Sequence, residues 1–157
     1  MNIDGKTGSS EDRALMALAF EQARKAASEG EVPVGAIVSV AGKEIAASHN
    51  RPISLNDPTA HAEVLAIREA ARAFGAYRLT EAALYVTLEP CVMCVGAIIA
   101  ARVVKVVYGA RDEKAGALGS VYDIGRDGRL NHRIEVYGGV MADESAAILR
   151  EFFKRRR

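Results

Sequence analysis

His61-Ala62-Glu63 and, further along, Pro90-Cys91-Val92-Met93-Cys94 put three metal-ligand types and one spare carboxylate into a single chain. One imidazole and two thiolates fill three tetrahedral positions of a zinc ion and leave the fourth open to water. That is the pattern of a catalytic site rather than a closed structural one. Glu63 then carries the most information. A structural site has no use for it, whereas a hydrolytic site needs a group that moves protons to and from the bound water. The same carboxyl, once protonated, can donate to a ring nitrogen and afterwards to a leaving amine, first as base and later as acid.

Both cysteines of the chain sit in this one C-x-x-C. In a reducing cytosol the readings are a metal site, a redox pair or buried thiols. A thioredoxin-like pair leaves His61 and Glu63 without a role, which favours the metal. Of the other histidines, His49 and His132, His49 reads as a packing or surface group; Met93 and the alanines near it read as core, and Glu89 as a carboxylate that supports the metal ligands or, the favoured reading, anchors a loop.

The elements that position these residues follow from spacing. Residues two apart on a helix project about 200° from one another, so His61 and Glu63 converge only if the metal lies off a helix N-terminus. Cys91 and Cys94, three apart, lie about 60° from each other around the axis and can share one ion. Both pairs are therefore expected at helix starts, where exposed N–H groups and partial positive charge favour thiolates.

Around them, residues 11–28 read as a helix with Leu15, Leu18, Ala19, Gln22 and Ala26 on one stripe. Residues 32–40 and 44–48 form a hairpin about Ala41-Gly42-Lys43, and 50–59 are loop. Residues 59–74 are an amphipathic helix on Val64, Ile67, Ala71 and Phe74, closed by Gly75. A strand at 82–88 and a helix at 91–101, apolar almost all round and so covered on most sides, follow. The strand at 103–108 is covered on both faces. An irregular loop with a short helical turn at 109–131, a strand at 133–137 and a helix at 141–153 complete the chain. Helices between strands demand crossovers. The expected fold is α/β, a three-layer α/β/α sandwich on a mixed five-stranded sheet with its hairpin at one side.

At 157 residues, half of them apolar, the chain is expected to be one domain, 11–157, behind a frayed segment 1–10. The formal net charge of +1 excludes a strongly cationic coat, though not a local basic patch. The run Lys154-Arg155-Arg156-Arg157 is either solvated or an RNA contact. Neither a signal peptide nor an apolar run near the roughly 18 residues of a membrane span is present, so a soluble intracellular protein with no membrane partner is expected.

H-A-E followed by P-C-x-x-C is the signature of the zinc-dependent nucleobase deaminases, and this chain resembles that family. Within it, several segments are similar to the bacterial tRNA-specific adenosine deaminases. They are Glu31-Val32-Pro33-Val34-Gly35-Ala36, His49-Asn50-Arg51-Pro52, Asp57-Pro58-Thr59-Ala60-His61-Ala62-Glu63, residues 85–96, Gly109-Ala110-Arg111-Asp112, residues 116–120 and Leu130-Asn131-His132-Arg133. The resemblance runs from about Glu11 to the C-terminus. It implies a cytidine deaminase-like fold and a cytoplasmic homodimer with one Zn2+ per subunit. The implied reaction is hydrolytic deamination of adenosine to inosine at the wobble position of a tRNA anticodon stem-loop, chiefly of arginine tRNA.

By match, His61, Cys91 and Cys94 hold the zinc and Glu63 shuttles protons. Asn50 hydrogen-bonds the flipped base, Val32, Pro33 and Val34 wall the pocket, Ala62 also binds substrate, and the Arg111-Asp112 loop lies along the anticodon strand. Residues 121–128 match no family pattern. A deaminase of a free base or nucleoside such as guanine or cytosine would share the zinc site. A zinc-stabilised RNA-binding domain would leave Glu63 a surface carboxylate.

Overall fold

Apolar residues at alternate positions along five short runs build one sheet that is covered on both faces. The computed structural model describes residues 8–156. The chain runs α1 (Ser10–Ser28), β1 (Gly35–Val40), β2 (Lys43–His49), α2 (Pro52–Leu55), α3 (Ala62–Phe74), β3 (Ala82–Leu88), α4 (Val92–Ala100), β4 (Lys105–Ala110), β5 (Glu135–Gly138) and α5 (Ala142–Arg155). The strand order is β2-β1-β3-β4-β5. β1 is antiparallel to both neighbours, while β3, β4 and β5 are parallel. Ile37, Tyr85 and Val107 point to the α1 side with Leu15, Met16 and Ala19. Val38, Leu84, Val86 and Val106 point to the other side, with Ala66, Ala70, Val95 and Ile98 from α3 and α4. The expected three-layer sandwich is the observed one.

The hairpin turns on Ala41 and Gly42, both at positive φ (52° and 76°), the geometry that matches a two-residue turn to the strand twist. Of the segment expected to be frayed, residues 1–7 lie outside the described residues. Ser9 and Ser10 are the cap and first residue of α1, because Ser9 Oγ accepts from the Asp12 N–H and Asp12 accepts from the Ser9 N–H. Asp12 also accepts from the Tyr85 hydroxyl at 2.7 Å and from Lys105 Nζ at 3.0 Å, tying α1 to the sheet.

Other expectations shift. β1 starts at Gly35 rather than residue 32, since Pro33 has no N–H for a ladder and Val32 and Val34 close a turn, N–H to carbonyl at 2.8 Å. The loop at 50–59 contains the one-turn helix α2, whose Ile53 and Ser54 N–H groups donate to the buried Glu31 carboxylate. Leu18 and Phe74 face solvent, because the buried stripes are set by which side meets the sheet. α4 packs on one side only. Val92 and Met93 are 48% and 37% exposed, with Gly96 and Ala100 open beside them, so Met93 is not core. Among the described residues, no helix is long and apolar enough to cross a membrane.

Candidate metal centre and active-site cleft

Strand direction decides what meets at the site. β1 and β3 run antiparallel with Ala36 opposite Val86, so residues just before β1 and just after β3 share one end of the sheet. Gly35 lies opposite His49 at the end of β2, which brings Asn50 to that same end. Val34, Asn50, Leu88 and Glu89 thus converge although they are far apart in sequence. The helices α3 and α4 begin there too, past the carboxyl end of a parallel strand, where open α/β sheets place their ligands.

His61 is the N-cap residue of α3 and Cys91 that of α4, and neither spends its side chain on capping. For α3 the cap comes from elsewhere, because Asn50 Oδ1 accepts from the Ala62 N–H at 2.7 Å. The His61 ring is therefore free to turn to the sulfurs. Its Nδ1 lies 3.7 Å from Cys91 Sγ and 3.5 Å from Cys94 Sγ, and the three ligand atoms all fall within 4.8 Å of one another. A tetrahedral zinc with bonds of about 2.3 Å to sulfur and 2.0–2.1 Å to nitrogen separates S and N by about 3.5–3.6 Å. The donor set and its spacing fit that ion.

The protonation of the cluster points the same way. The hydrogen bond from Cys94 and then that with His61 pull the Cys91 thiol down to about 3. Its bond with Cys91, and then burial, push the Cys94 thiol up. The bond with Cys91 raises His61 against the opposing effect of burial. Two sulfurs and an imidazole thus share protons that a cation would displace, since thiolate and neutral imidazole are the ligating forms.

Glu63 sits in the first turn of α3, 4% exposed, and burial raises its carboxyl above the usual range. A carboxyl held toward its neutral form can both accept and donate a proton. It lines a cleft of about 260 Å³ together with Val32, Val34, Asn50, Pro52, His61, Leu88, Glu89, Cys91, Asp112 and Ala115. Sites that engulf a drug-sized ligand hold roughly 300–1,000 Å³, so this one suits a single base. The Asn50 carbonyl is committed to Ala62, which leaves the amide NH2 as the group this residue can offer to the cleft it lines.

Glu89 fixes the far wall. It is 2% exposed and accepts from the N–H groups of Asp112 (3.1 Å), Leu118 (3.0 Å) and Ser120 (3.0 Å), and from the Ser120 hydroxyl. The anchoring role read from sequence is the observed one. Gly116 is what lets the carboxylate in, because a Cβ there would overlap the Glu89 carboxylate and sit 2.6 Å from the Asp112 carbonyl oxygen. Gly116→Ala is expected to cost about 1–3 kcal/mol as overpacking and to lower activity by moving the 111–120 loop. Thermal melting and turnover of the variant check both.

Of the other residues read from sequence, Val32, Val34 and Asp112 line the cleft. Three do not. Pro33 is buried beside the strand start, Ala62 has its side chain in the core and offers only its backbone N–H, and Arg111 points outward, its Nε 3.1 Å from Ser120 Oγ. The Asp112 carboxylate caps the turn at Lys114 and Ala115. Pro52, Leu88 and Ala115 line the cleft too, brought there by contacts between distant segments that leave no mark in local sequence. His49 bonds Gln22 and Glu29, and His132 bonds the Val103 carbonyl, so neither joins the cluster.

The model of the MafB19-like deaminases matches residues 10–157 of the chain. A tRNA-specific adenosine deaminase of Agrobacterium fabrum is 48% identical over 91% of this chain and 94% of its own length. A solved structure from a study of A-to-I editing by tRNA A34 deaminases at the wobble position superposes with a TM-score of 0.84. It is 47% identical and covers 87% of this chain and 99% of that one. A guanine deaminase from Nitrosomonas europaea superposes with a TM-score of 0.75 at 30% identity, covering 89% of this chain and 83% of that one.

Proposed function

This chain belongs to the MafB19-like deaminases and among them to the tRNA-specific adenosine deaminases, and we propose that it hydrolyses adenosine to inosine at the wobble position of a tRNA anticodon. The observation that carries this reading is a buried, acid-capable Glu63 beside three converged ligand atoms in a base-sized cleft. His61, Cys91 and Cys94 would hold one zinc per chain, and the ion would supply an activated water. Glu63 would accept one proton from the attacking water and pass it to N1 of adenine, so that the water oxygen bonds to C6. It would then take the remaining proton from that oxygen and give it to the amine, so that the C6–N bond breaks, ammonia departs and C6 keeps the oxygen as a carbonyl. Asn50 donates its amide NH2 to the base while its carbonyl keeps α3 in place. Val32, Val34 and Leu88 exclude water around the ring.

The near-neutral chain still offers local charge. A broad depression between the 111–120 loop and α5 is bounded by Lys114, Arg150, Lys154 and Arg156 with Phe153, which suits a phosphate backbone. An anticodon loop presents its bases partly unstacked, which lowers the few kcal/mol that extrusion from a duplex requires. Arginine tRNA as the natural substrate follows from the family resemblance alone. A homodimer gains support from the open apolar face of Val92, Met93, Gly96 and Ala100 on α4.

Guanine is the competing substrate, given the 30% identical relative. The 48% identity to a tRNA-specific relative and the basic depression favour RNA. Incubating the zinc-loaded protein with an anticodon stem-loop bearing adenosine at the wobble position is expected to yield inosine and ammonia. Turnover of free guanine with an untouched stem-loop would overturn the reading.

A further inference from the structure

We propose that Tyr122, with Val121 beside it, is a stacking platform for a nucleotide adjacent to the deaminated base, a role that rests on the RNA substrate reading above. Tyr122 is 57% exposed and Val121 46% exposed. Two neighbouring apolar side chains on a loop lose hydrophobic stabilisation by facing water. They belong to residues 121–128, the stretch that the family pattern left unassigned.

Their position is close to the chemistry. The N–H groups of Val121 and Tyr122 donate to the Gly116 carbonyl at 2.9 and 3.1 Å, and Gly116 forms a β-bridge with Cys91. Ala115, next along, lines the cleft. The backbone of Tyr122 is therefore one paired residue away from a metal-ligand candidate.

The loop is also held rigid. The Gly119 N–H donates to the Tyr122 carbonyl at 2.8 Å, Leu118 bridges Asp123, Glu89 anchors Leu118 and Ser120, and Arg126 pairs with Asp123. An aromatic ring on a fixed backbone loses little freedom when a base lies on it. Single-stranded RNA is read in this way, by stacking splayed bases on aromatic and guanidinium planes. Arg111, held to Ser120 Oγ and paired with Glu113, keeps a side chain that is 54% exposed. A free base that fits inside the cleft would touch none of these groups; an anticodon loop reaches beyond it on either side of the flipped nucleotide.

Steady-state kinetics on the wobble-adenosine stem-loop test the role. Tyr122→Ala is expected to raise KM about tenfold to hundredfold, the loss measured for one stacked base, with kcat close to wild type. Tyr122→Phe keeps the ring and should behave as wild type. Tyr122→Leu keeps bulk without the ring and serves if the alanine variant fails to fold. A stem-loop made abasic at the nucleotide on one side of the wobble position should erase the difference between wild type and Tyr122→Ala. A wild-type KM for Tyr122→Ala, or a penalty that persists on abasic substrates for both sides, overturns the platform. So does a change of oligomeric state with KM unaltered, which would place Tyr122 in a protein contact. Wild-type protein that makes no inosine in the stem-loop sinks the substrate reading itself. Active wild type with an indifferent Tyr122→Ala sinks only the stacking role.

Discussion

Glu63→Gln is expected to lower kcat by about 10³–10⁴-fold while zinc content and melting temperature stay near those of the wild type. General acid–base groups contribute about 10²–10⁴ each, and this one side chain serves both the attack and the departure of the amine, which places the loss toward the upper end. The glutamine has the same shape but neither takes nor gives a proton. Stability should not suffer. Glu63 is almost wholly buried, and burial already disfavours its charged form, so a neutral amide relieves desolvation rather than adding to it. Inosine formation, metal analysis and a thermal melt on the same preparation separate the possibilities. Undiminished turnover would make Glu63 a bystander and assign the proton transfers to another group in the cleft. Loss of zinc along with activity would make it a ligand or a fold determinant instead.

The second large effect is expected for Cys94→Ala, which should abolish both metal binding and activity. Cys94 is 0% exposed at the start of α4, with its sulfur 3.5 Å from His61 Nδ1. Removing one of three protein ligands leaves the metal with two, fewer than catalytic zinc sites keep. Because the ligands are gathered only in the folded chain, binding energy is folding energy. With free zinc a thousandfold above its Kd, the bound state gains about 4 kcal/mol, and for a domain of this size each kcal/mol shifts Tm by about 2–4 °C. A chelator should therefore lower the wild-type Tm by about 8–16 °C and leave that of Cys94→Ala where it is. A variant that still carries one zinc per chain and still responds to the chelator would show that Cys94 is not a ligand.

The two predictions draw on different depths of the sequence. His61 and Glu63 could be placed at a helix opening from their spacing alone, because side chains two apart diverge everywhere else on a helix. The same holds for Cys91 and Cys94, and both pairs lie where that argument puts them. The layered fold was legible as well, since alternating apolar residues report which strands have covered faces and the intervening helices force parallel neighbours. Helix faces were less legible. Phe74 and Leu18 satisfy helical periodicity yet face solvent, and Met93 lies on an apolar helix that packs on one side only. Periodicity reports that a helix has an apolar side, whereas only the neighbouring layer decides how far around the helix that side is covered.

By itself, then, the amino-acid order determined the reactive groups, their grouping at two helix starts and the architecture that carries them. These are set by interactions between residues a few positions apart. The tertiary structure decided the rest of the site. The antiparallel register of β1 with β3 brings Val34 to Leu88 and Glu89, Asn50 spends its carbonyl on α3, and the Glu89 carboxylate enters the space that Gly116 leaves open. It also kept Pro33 and the Ala62 side chain out of the cleft wall. Each of these depends on contacts between segments distant in the chain, whose pairing no local spacing encodes.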